Sequence, residues 1–208
     1  MKKIRGPLRD HQDSEAGSPP AGSGQHFIRP YLRLILCGLL LCASPRARSQ
    51  SVAEYSVKLA TLYNIAKFVE WPADAFPDPD APLVICVVGA DPFEAEYKEE
   101  LRKRSAGGRP IDLKSIRSTD DLRACHMAFL SAAERSRVPS IVAGLEGSST
   151  LTVSEIEGFA ERGGIINLIV EAKKLHIEIN LGAAKQNRLA ISARLLQLAR
   201  IINNPSRR

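Results

Sequence analysis

Residues 83–92 have the sequence LVICVVGADP, in which a continuous apolar run ends at a glycine. Six consecutive apolar residues are typical of a β-strand that is buried on both faces of a parallel sheet. Gly89 predicts a turn directly after the strand, and Pro92 lies where a helix extending to about Arg104 would begin. A buried strand, a tight turn and a helix in this order indicate an α/β fold.

The remaining segments extend this pattern along the chain. Apolar residues at three- and four-residue spacing predict a helix over residues 54–70, which Pro72 ends. We predict further strands over residues 111–116, 126–130, 150–153, 165–170 and 175–181, and short helices over 119–123, 139–144 and 158–162. The last two strands form a β-hairpin, and a helical stripe predicts a helix over residues 185–203. We therefore expect a single-domain α/β sandwich with a mixed sheet, helices on both faces, and a C-terminal hairpin followed by a long helix.

The first 49 residues differ in character from the rest of the chain. Residues 1–30 are polar and rich in glycine and proline, and a basic segment then leads into the apolar run of residues 34–43. This run is too short to span a bilayer as a helix, which takes about 20 residues, and the small-residue site Ala47-Arg48-Ser49 follows it. We predict that residues 1–49 contain a Sec-type signal cleaved near Ser49/Gln50, and that residues 50–208 form the exported domain. The alternative is an uncleaved membrane anchor.

Most of the positive charge belongs to this leader. The whole chain carries a formal net charge of +6, and residues 1–49 contain eight basic and three acidic residues, so residues 50–208 carry only +1. A nucleic-acid-binding domain ordinarily has a basic patch in its folded part. We therefore expect neither a nucleic-acid partner nor stable insertion of the exported domain into a membrane.

Two of the four cysteines, Cys37 and Cys42, lie in the leader, which leaves Cys86 and Cys125 in the exported domain. An even pair of cysteines in an oxidising compartment predicts a disulfide. The alternative is two buried free thiols, since both residues adjoin apolar runs.

The sequence lacks the motifs that carry common catalytic chemistry. Gly89-Ala90-Asp91 supplies one glycine where a dinucleotide-binding loop needs three, and no phosphate-binding loop or G-x-S-x-G elbow occurs. His126 and His176 are the only histidines outside the leader. Metal-ligand spacing is also missing from the acidic pairs Asp78/Asp80 and Asp120/Asp121. We expect no catalytic residue, no metal and no cofactor; an unrecognised histidine-dependent hydrolase is the alternative.

Several segments together resemble one protein family. They are residues 57–72 (VKLATLYNIAKFVEWP), 85–93 (ICVVGADPF), 125–130 (CHMAFL), 151–164 (LTVSEIEGFAERGG), 177–181 (IEINL) and 191–199 (ISARLLQLA). In order and spacing they resemble the YfiR-like family of bacterial periplasmic proteins, and the resemblance covers nearly all of residues 54–202.

The resemblance implies a periplasmic regulator rather than an enzyme. In the system for which the family is named, the regulator restrains a membrane-bound diguanylate cyclase through the periplasmic domain of that enzyme, and an outer-membrane lipoprotein relieves the inhibition. The implied function is to lower cyclic-di-GMP signalling and biofilm formation through protein contact. The resemblance also implies a homodimer and a disulfide, and Cys86 and Cys125 lie in the segments that carry the bridging pair. The alternative is a sensory or small-ligand-binding domain that acts with a sensor kinase or a TonB-type system.

Five residues are candidates for a partner or dimer surface. Trp71 ends the first predicted helix beside an exposed loop, where it is either a contact residue or an anchor in the core. Glu178 and Asn180 share the polar face of the hairpin and are either partner contacts or simply solvated. The last two candidates are Leu189 and Leu196, which lie opposite the core stripe of the last predicted helix. They either contribute to an interface or pack on a second layer of the same domain.

Overall fold

The computed structural model describes residues 46–117 and 120–202, which belong to one compact unit. The helices are α1 (Arg46–Lys67), α2 (Ala95–Arg102), α3 (Val138–Gly144), α4 (Leu181–Gln186) and α5 (Ala193–Leu196). The strands are β1 (Val69–Glu70), β2 (Leu83–Val88), β3 (Ser105–Ala106), β4 (Arg109–Ile116), β5 (Met127–Leu130), β6 (Leu151–Ser154), β7 (Ile166–Glu171), β8 (Lys174–Asn180), β9 (Ala190–Ile191) and β10 (Arg200–Ile202). The predicted α/β class is confirmed.

Strand β2, the apolar run at residues 83–88, lies inside an eight-stranded sheet. The strand order is β10-β8-β7-β6-β5-β2-β4-β3, and β2 pairs in parallel with β4 on one side and with β5 on the other. Strands β7 and β8 pair antiparallel, as do β3 and β4, so the sheet is mixed, as predicted.

Both faces of the sheet are covered by helices. Successive residues of a strand point to opposite faces, so strand β2 contributes side chains to two separate cores. Ile85 and Val87 belong to a first core that also contains Leu62 of α1 and Leu101 of α2. Cys86 and Val88 belong to a second core that contains residues of α3. The near-continuous apolar character of β2 therefore reflects burial on two sides.

The first helix ends earlier than predicted. Helix α1 stops at Lys67, and Val69–Glu70 form the short strand β1, which pairs antiparallel with Ala190–Ile191 of β9. A β-branched valine shortly before the Trp71-Pro72 bond favours extended backbone at this point. The pairing joins the end of α1 to the C-terminal segment of the chain.

The predicted hairpin is present as β7 and β8. Its turn consists of Ala172 and Lys173, both in the left-handed region with φ of 49° and 64°. Two successive residues with positive φ are what a two-residue type I′ turn requires, and this turn follows the right-handed twist of the strands.

The predicted long C-terminal helix over residues 185–203 is wrong. The segment instead contains α4, β9, α5 and β10. Arg188, with a φ of 57°, interrupts the helical path, and Ser192 starts α5 by accepting a hydrogen bond from the Leu195 N–H. Ile201 and Ile202 then lie in β10, parallel to β8. β-branched residues such as these favour strands. The helix-like spacing of apolar residues over 185–203 therefore arises from several short elements and not from one helix.

Most of the predicted leader lies outside the described residues, including the apolar run of residues 34–43 and the cysteines Cys37 and Cys42. The described part begins at Arg46, so the predicted cleavage position near Ser49/Gln50 falls in the backbone of α1. Within residues 46–117 and 120–202, no helix combines the length and the apolar character needed to cross a bilayer.

Candidate functional site

Cys86 and Cys125 form a disulfide with a Cα–Cα distance of 5.9 Å, so the predicted bridge is confirmed. Cys86 lies in β2, and Cys125 lies two residues before the neighbouring strand β5. Both are buried in the second core. The bridge therefore joins β2 to the start of β5 on the face of the sheet that α3 covers.

An acidic cleft lies where α1 approaches the ends of β6, β7 and β8. Its volume is about 640 Å³. Its charged lining residues are Glu54, Glu155, Glu157, Glu161, Glu171 and Glu178, together with the cations Lys58 and Arg200. Six carboxylates against two cations make this surface strongly negative, in contrast to the nearly neutral domain as a whole.

Lys58 occupies the inner part of the acidic cleft with only 3% of its surface exposed. Its ammonium group lies 2.6 Å from a carboxylate oxygen of Glu54 and also forms an ion pair with Glu155, which follows β6. Burial alone would lower the pKa of Lys58, but the hydrogen bonds to Glu155 and Glu54 outweigh it and raise the pKa above its ordinary value. Lys58 is therefore charged and fastens α1 to the carboxyl end of β6.

Tyr55 completes this group by donating a hydrogen bond of 3.2 Å from its hydroxyl to Glu155 Oε1. Burial and the negative charge of Glu155 raise the pKa of the Tyr55 phenol. The phenol therefore remains protonated and acts as a donor. Glu155 receives two donors from α1, which fixes the position of its carboxylate in the cleft.

Glu178 forms the other charged wall of the cleft. It is 1% exposed, and its Oε1 pairs with the guanidinium of Arg200, which lies directly opposite it in β10. The second oxygen, Oε2, is buried and has no hydrogen-bond partner among the residues that the structure describes. An unpaired buried carboxylate oxygen is costly, because its interaction with water is lost without replacement. Glu178 therefore has the capacity to accept one more donor.

A second crevice lies at the carboxyl ends of β2, β4 and β5. The loop after β2 leads to α2 on the first core, whereas the loop after β5 leads to α3 on the second core, so the two loops diverge. Such a topological switch point is where open α/β sheets bind ligands. The switch crevice has a volume of about 570 Å³ and is lined by Gly89, Ala90, Asp91, Ser115, Ile116, Arg117 and Glu134.

Gly89 allows the two diverging loops to approach each other. Its φ is +86°, and a Cβ atom built on it would lie 2.6 Å from Glu134 Oε1 and 2.7 Å from Ser131 Oγ. Glu134 is 7% exposed and pairs through Oε2 with Arg137, while Ser131 Oγ is buried and has no partner in the described part of the chain. The switch crevice thus has a close-packed floor that contains an unused hydroxyl group.

Replacing Gly89 by alanine is expected to lower the free energy of unfolding by about 2–3 kcal/mol, because the new Cβ meets Ser131 and Glu134 as well as an unfavourable φ. The matched control is Gly107→Ala, where φ is +59° and no atom lies within 4 Å of the added Cβ, so we expect about 1 kcal/mol. Urea unfolding of both variants measures the difference. An equal loss of unfolding free energy in the two variants would show that the contact of the added Cβ with Ser131 and Glu134 does not destabilise the fold.

The structure buries three of the five residues that the sequence placed on a partner or dimer surface. Glu178, Asn180 and Leu189 are 1%, 3% and 5% exposed. Asn180 caps α4 by accepting from the Ala183 N–H at 3.0 Å and donates to the Ala160 carbonyl at 2.9 Å. The last three residues of β8 are all buried, so Glu178 and Asn180 do not form an exposed surface.

The other two surface candidates are partly buried. Trp71 packs against the first core and donates from Nε1 to the His126 carbonyl at 3.0 Å. Leu196, in α5, also packs against the first core, whereas the nearby Leu198 is 71% exposed. The side chain that leaves apolar surface in this segment is therefore Leu198, which was not among the predicted surface residues.

Neither crevice was predicted from the sequence. Glu54 and Lys58 stand four residues apart on one helix, and this spacing is the local signal of an ion pair. Glu155 and Arg200, in contrast, reach the cleft through tertiary contacts that no local pattern indicates. Asp78 and Asp80, the acidic pair that the sequence placed in a loop, stabilise a turn. Asp78 Oδ1 accepts a hydrogen bond of 2.9 Å from the Asp80 N–H.

His126 and the metal-ligating side chains are the remaining candidates for chemistry in the described part of the chain. Within residues 46–117 and 120–202, no group of three or more His, Cys, Asp or Glu side chains is arranged to hold a metal ion. His126 uses both ring nitrogens for backbone hydrogen bonds, to the Val84 N–H and the Ala75 carbonyl, each at 3.0 Å. No nitrogen of His126 is therefore free to act as a general base.

Comparison with known proteins agrees with the resemblance seen in the sequence. A family model described as YfiR/HmsC-like matches residues 55–200. The match includes both cysteines of the disulfide, the whole of strands β1 to β9 and most of the acidic cleft. No curated protein shows significant similarity to the chain.

Proposed function

The chain belongs to the YfiR/HmsC-like family, and on this premise we propose that it is a periplasmic protein that restrains a membrane-bound diguanylate cyclase by direct contact. The family supports a regulator of cyclic-di-GMP signalling in general. The cyclase as target, the contact with its periplasmic domain and the resulting decrease in biofilm formation are our proposal. An outer-membrane lipoprotein is the proposed partner that relieves the inhibition.

The acidic cleft is the observation that carries this proposal. A surface with six glutamates around two cations suits a basic segment of a protein partner, because complementary charge steers association and selects the partner. Val170, which lines the cleft and is 43% exposed, adds apolar surface at its edge. The unpartnered Oε2 of Glu178 offers a place for one incoming donor. We therefore assign the partner contact to this cleft.

A role through binding also agrees with the chemistry of the described residues. The family is regulatory rather than catalytic. The cysteines are joined in a disulfide and His126 is engaged by backbone groups, so neither supplies a nucleophile or a base. We propose that the protein alters cyclic-di-GMP levels without itself acting on the dinucleotide.

We propose a homodimer as the functional state. Leu198, 71% exposed and adjacent to the edge strand β10, is apolar surface that a second copy would cover. Light scattering of Leu198→Asp tests this directly. Loss of the dimer mass supports the proposal, and a stable dimer of unchanged mass rules out this surface.

The cyclic-di-GMP content of cells tests the regulatory function. A strain that lacks the protein is expected to contain more cyclic-di-GMP, and the wild-type protein is expected to lower it again. The double variant Glu157→Lys/Glu171→Lys reverses two exposed charges of the acidic cleft and is expected to fail in this complementation, because it repels a basic partner.

The matched control is Glu94→Lys/Glu146→Lys, which makes the same charge change at two exposed positions outside the cleft. It is expected to restore wild-type levels of cyclic-di-GMP. Equal activity of both double variants would contradict the assignment to the cleft, and unchanged cyclic-di-GMP in the deletion strain would contradict the function itself.

The switch crevice favours a second candidate, a sensory domain that binds a small ligand and acts with a sensor kinase or a TonB-type system. Its position at a topological switch point and the unpartnered Ser131 hydroxyl are the observations in favour. A thermal-shift screen of the wild-type protein against small polar metabolites tests this candidate. A stabilising compound that Gly89→Ala no longer recognises supports it, and the absence of any stabilising compound counts against it.

A further inference from the structure

Two oxygen atoms at the floor of the switch crevice are available for hydrogen bonding. Ser131 follows β5 directly and is 4% exposed, and its Oγ is buried without a partner among the residues that the structure describes. Glu134 is 7% exposed and pairs with Arg137 through Oε2. Its other oxygen, Oε1, receives none of the hydrogen bonds found within residues 46–117 and 120–202. A buried hydroxyl and one oxygen of a buried carboxylate are therefore free to bond to a ligand.

The backbone at Gly89 brings these two oxygens together. A Cβ atom built on Gly89 would lie 2.7 Å from Ser131 Oγ and 2.6 Å from Glu134 Oε1. Both oxygens thus lie on the same side of Gly89, which lines the switch crevice together with Glu134. They are close enough to each other for one ammonium group, which has three N–H donors, to bond to both.

The usual local role of a serine does not account for Ser131. It precedes a short 3₁₀-helix (Ala132–Glu134), a position where a serine side chain ordinarily accepts a hydrogen bond from a backbone N–H of the helix. The Ser131 side chain makes no such bond, and its Oγ lies against Gly89 instead. The hydroxyl is therefore directed at the crevice lining and not at its own helix.

The charges of the switch crevice favour a cationic ligand over an anionic one. Asp91 supplies a second carboxylate, whose Oδ2 accepts hydrogen bonds from Lys98 at 2.8 Å and from Ser115 at 2.6 Å. Burial raises the pKa of Asp91, but these bonds and one from the Phe93 N–H outweigh it and hold the pKa below its ordinary value. Among the described lining residues, the one cation is the exposed Arg117. A phosphate or another anion would therefore meet two carboxylates.

An organic cation suits the crevice better than a metal ion does. In the described part of the chain, no group of three or more His, Cys, Asp or Glu side chains is arranged to hold a metal. A primary ammonium group, in contrast, combines positive charge with several N–H donors and needs only two or three acceptors.

We propose that the switch crevice binds a small molecule through a primary ammonium group, which donates to Glu134 Oε1 and Ser131 Oγ. This inference rests on the sensory function proposed above as the second candidate, and it names the class of ligand. Arg117 lines the same crevice and is able to pair with a carboxylate. Amino acids and simple amines are therefore the two sources of the ammonium group.

Amide chemical shifts of the full-length protein, titrated with three related compounds, test the proposal. Ethanolamine carries the primary ammonium group, choline is its trimethylated form with the same charge and no N–H donor, and ethylene glycol has a hydroxyl in place of the ammonium group. We expect ethanolamine to shift the Gly89 and Ser131 amide signals in a saturable way, with a dissociation constant of roughly millimolar order for so small a ligand. Choline and ethylene glycol are expected to bind about tenfold more weakly or less.

Two variants separate binding from folding. Ser131→Ala removes a hydroxyl without a partner in the described chain, so we expect an unchanged melting temperature and ethanolamine binding that is weaker by about threefold or more. Glu134→Gln removes the negative charge at nearly constant volume and is expected to weaken ethanolamine binding by about tenfold or more. The control Ser105→Ala changes an exposed serine of β3 and is expected to leave binding unchanged.

Three outcomes would overturn the proposal. They are the absence of saturable shifts with ethanolamine, equal affinity for ethanolamine and choline, and wild-type affinity in both Ser131→Ala and Glu134→Gln. A lower melting temperature of Ser131→Ala would also count against it, since the hydroxyl would then have a structural role. If ethylene glycol alone gave saturable shifts at Gly89, the ammonium class would be wrong, but the crevice would remain a ligand site and the sensory function would stand.

Glycine as a fourth compound identifies the source of the ammonium group. Tighter binding of glycine than of ethanolamine, with this advantage lost in Arg117→Gln, supports the proposal and assigns the crevice to amino acids. Saturable binding of ethanolamine with equal or weaker binding of glycine supports it as well and assigns the crevice to simple amines.

Discussion

Replacing Lys58 by methionine is expected to lower the free energy of unfolding by about 3–5 kcal/mol. Methionine fills most of the volume of the lysine stem, so the loss arises from charge. Without the ammonium group, Glu155 remains with 11% of its side chain exposed and, among the described residues, with the Tyr55 hydroxyl as its remaining donor. An uncompensated charge at such a site is strongly destabilising, because the protein no longer replaces the water that the carboxylate lost. Urea unfolding measures the change.

Two further variants test whether the charge is the cause. The double variant Lys58→Met/Glu155→Gln removes both charges and is expected to recover a large part of the lost stability. Lys67→Met makes the same substitution at an exposed position of the same helix and is expected to change the stability by less than about 0.5 kcal/mol. If Lys58→Met behaved like Lys67→Met, Lys58 would not fasten α1 to the sheet.

Removing the disulfide is expected to have an effect of similar size. Cys86 and Cys125 are 39 residues apart in sequence, and closing a loop of this length stabilises the fold by roughly 3–4 kcal/mol in the chain-entropy model. The double variant Cys86→Ala/Cys125→Ala should therefore unfold at a temperature lower by roughly 10 °C. Scanning calorimetry of the variant and the wild-type protein measures the difference.

The reduced wild-type protein provides the control for the disulfide. Treatment with a reductant is expected to lower its melting temperature by nearly the same amount, and to leave the melting temperature of the double variant unchanged. A double variant as stable as the oxidised protein would mean that the bridge constrains a region already ordered in the unfolded chain.

The central strands could be predicted because burial on both faces leaves a strong local signal. The runs at residues 83–88 and 127–130 are apolar at almost every position, and the structure places them side by side with α-helices on both faces. The hairpin was equally clear, since residues 175–181 alternate between apolar and polar side chains. In these segments the local pattern and the tertiary environment agree.

The C-terminal segment could not be predicted because its apolar residues are buried for unrelated reasons. Leu195 lies in the core, Leu198 is 71% exposed, and Ile202 belongs to a strand at the edge of the sheet. Their spacing imitates a helical stripe. The pairing of β10 with β8 joins residues about 22 positions apart, and hydrophobic periodicity carries no information about such a contact.

The same distant pairing explains why the candidate site was only partly foreseen. Alternation along β8 placed Glu178 on a polar face, but this end of the strand is buried and β10 sets Arg200 beside the carboxylate. Of the predicted surface residues, only Glu178 lies in the acidic cleft, and it does so as a buried wall. The cysteine pair was predicted correctly, because the number of cysteines alone limits how they can combine.

Binding between purified proteins is the most direct test of a regulator that acts through its acidic cleft. The measurement is a titration of the full-length protein with the periplasmic domain of an inner-membrane diguanylate cyclase from the same organism. We predict a specific complex that Glu157→Lys/Glu171→Lys weakens by roughly tenfold or more and that Glu94→Lys/Glu146→Lys leaves intact. The absence of any complex, or equal affinity of the two double variants, would contradict this account.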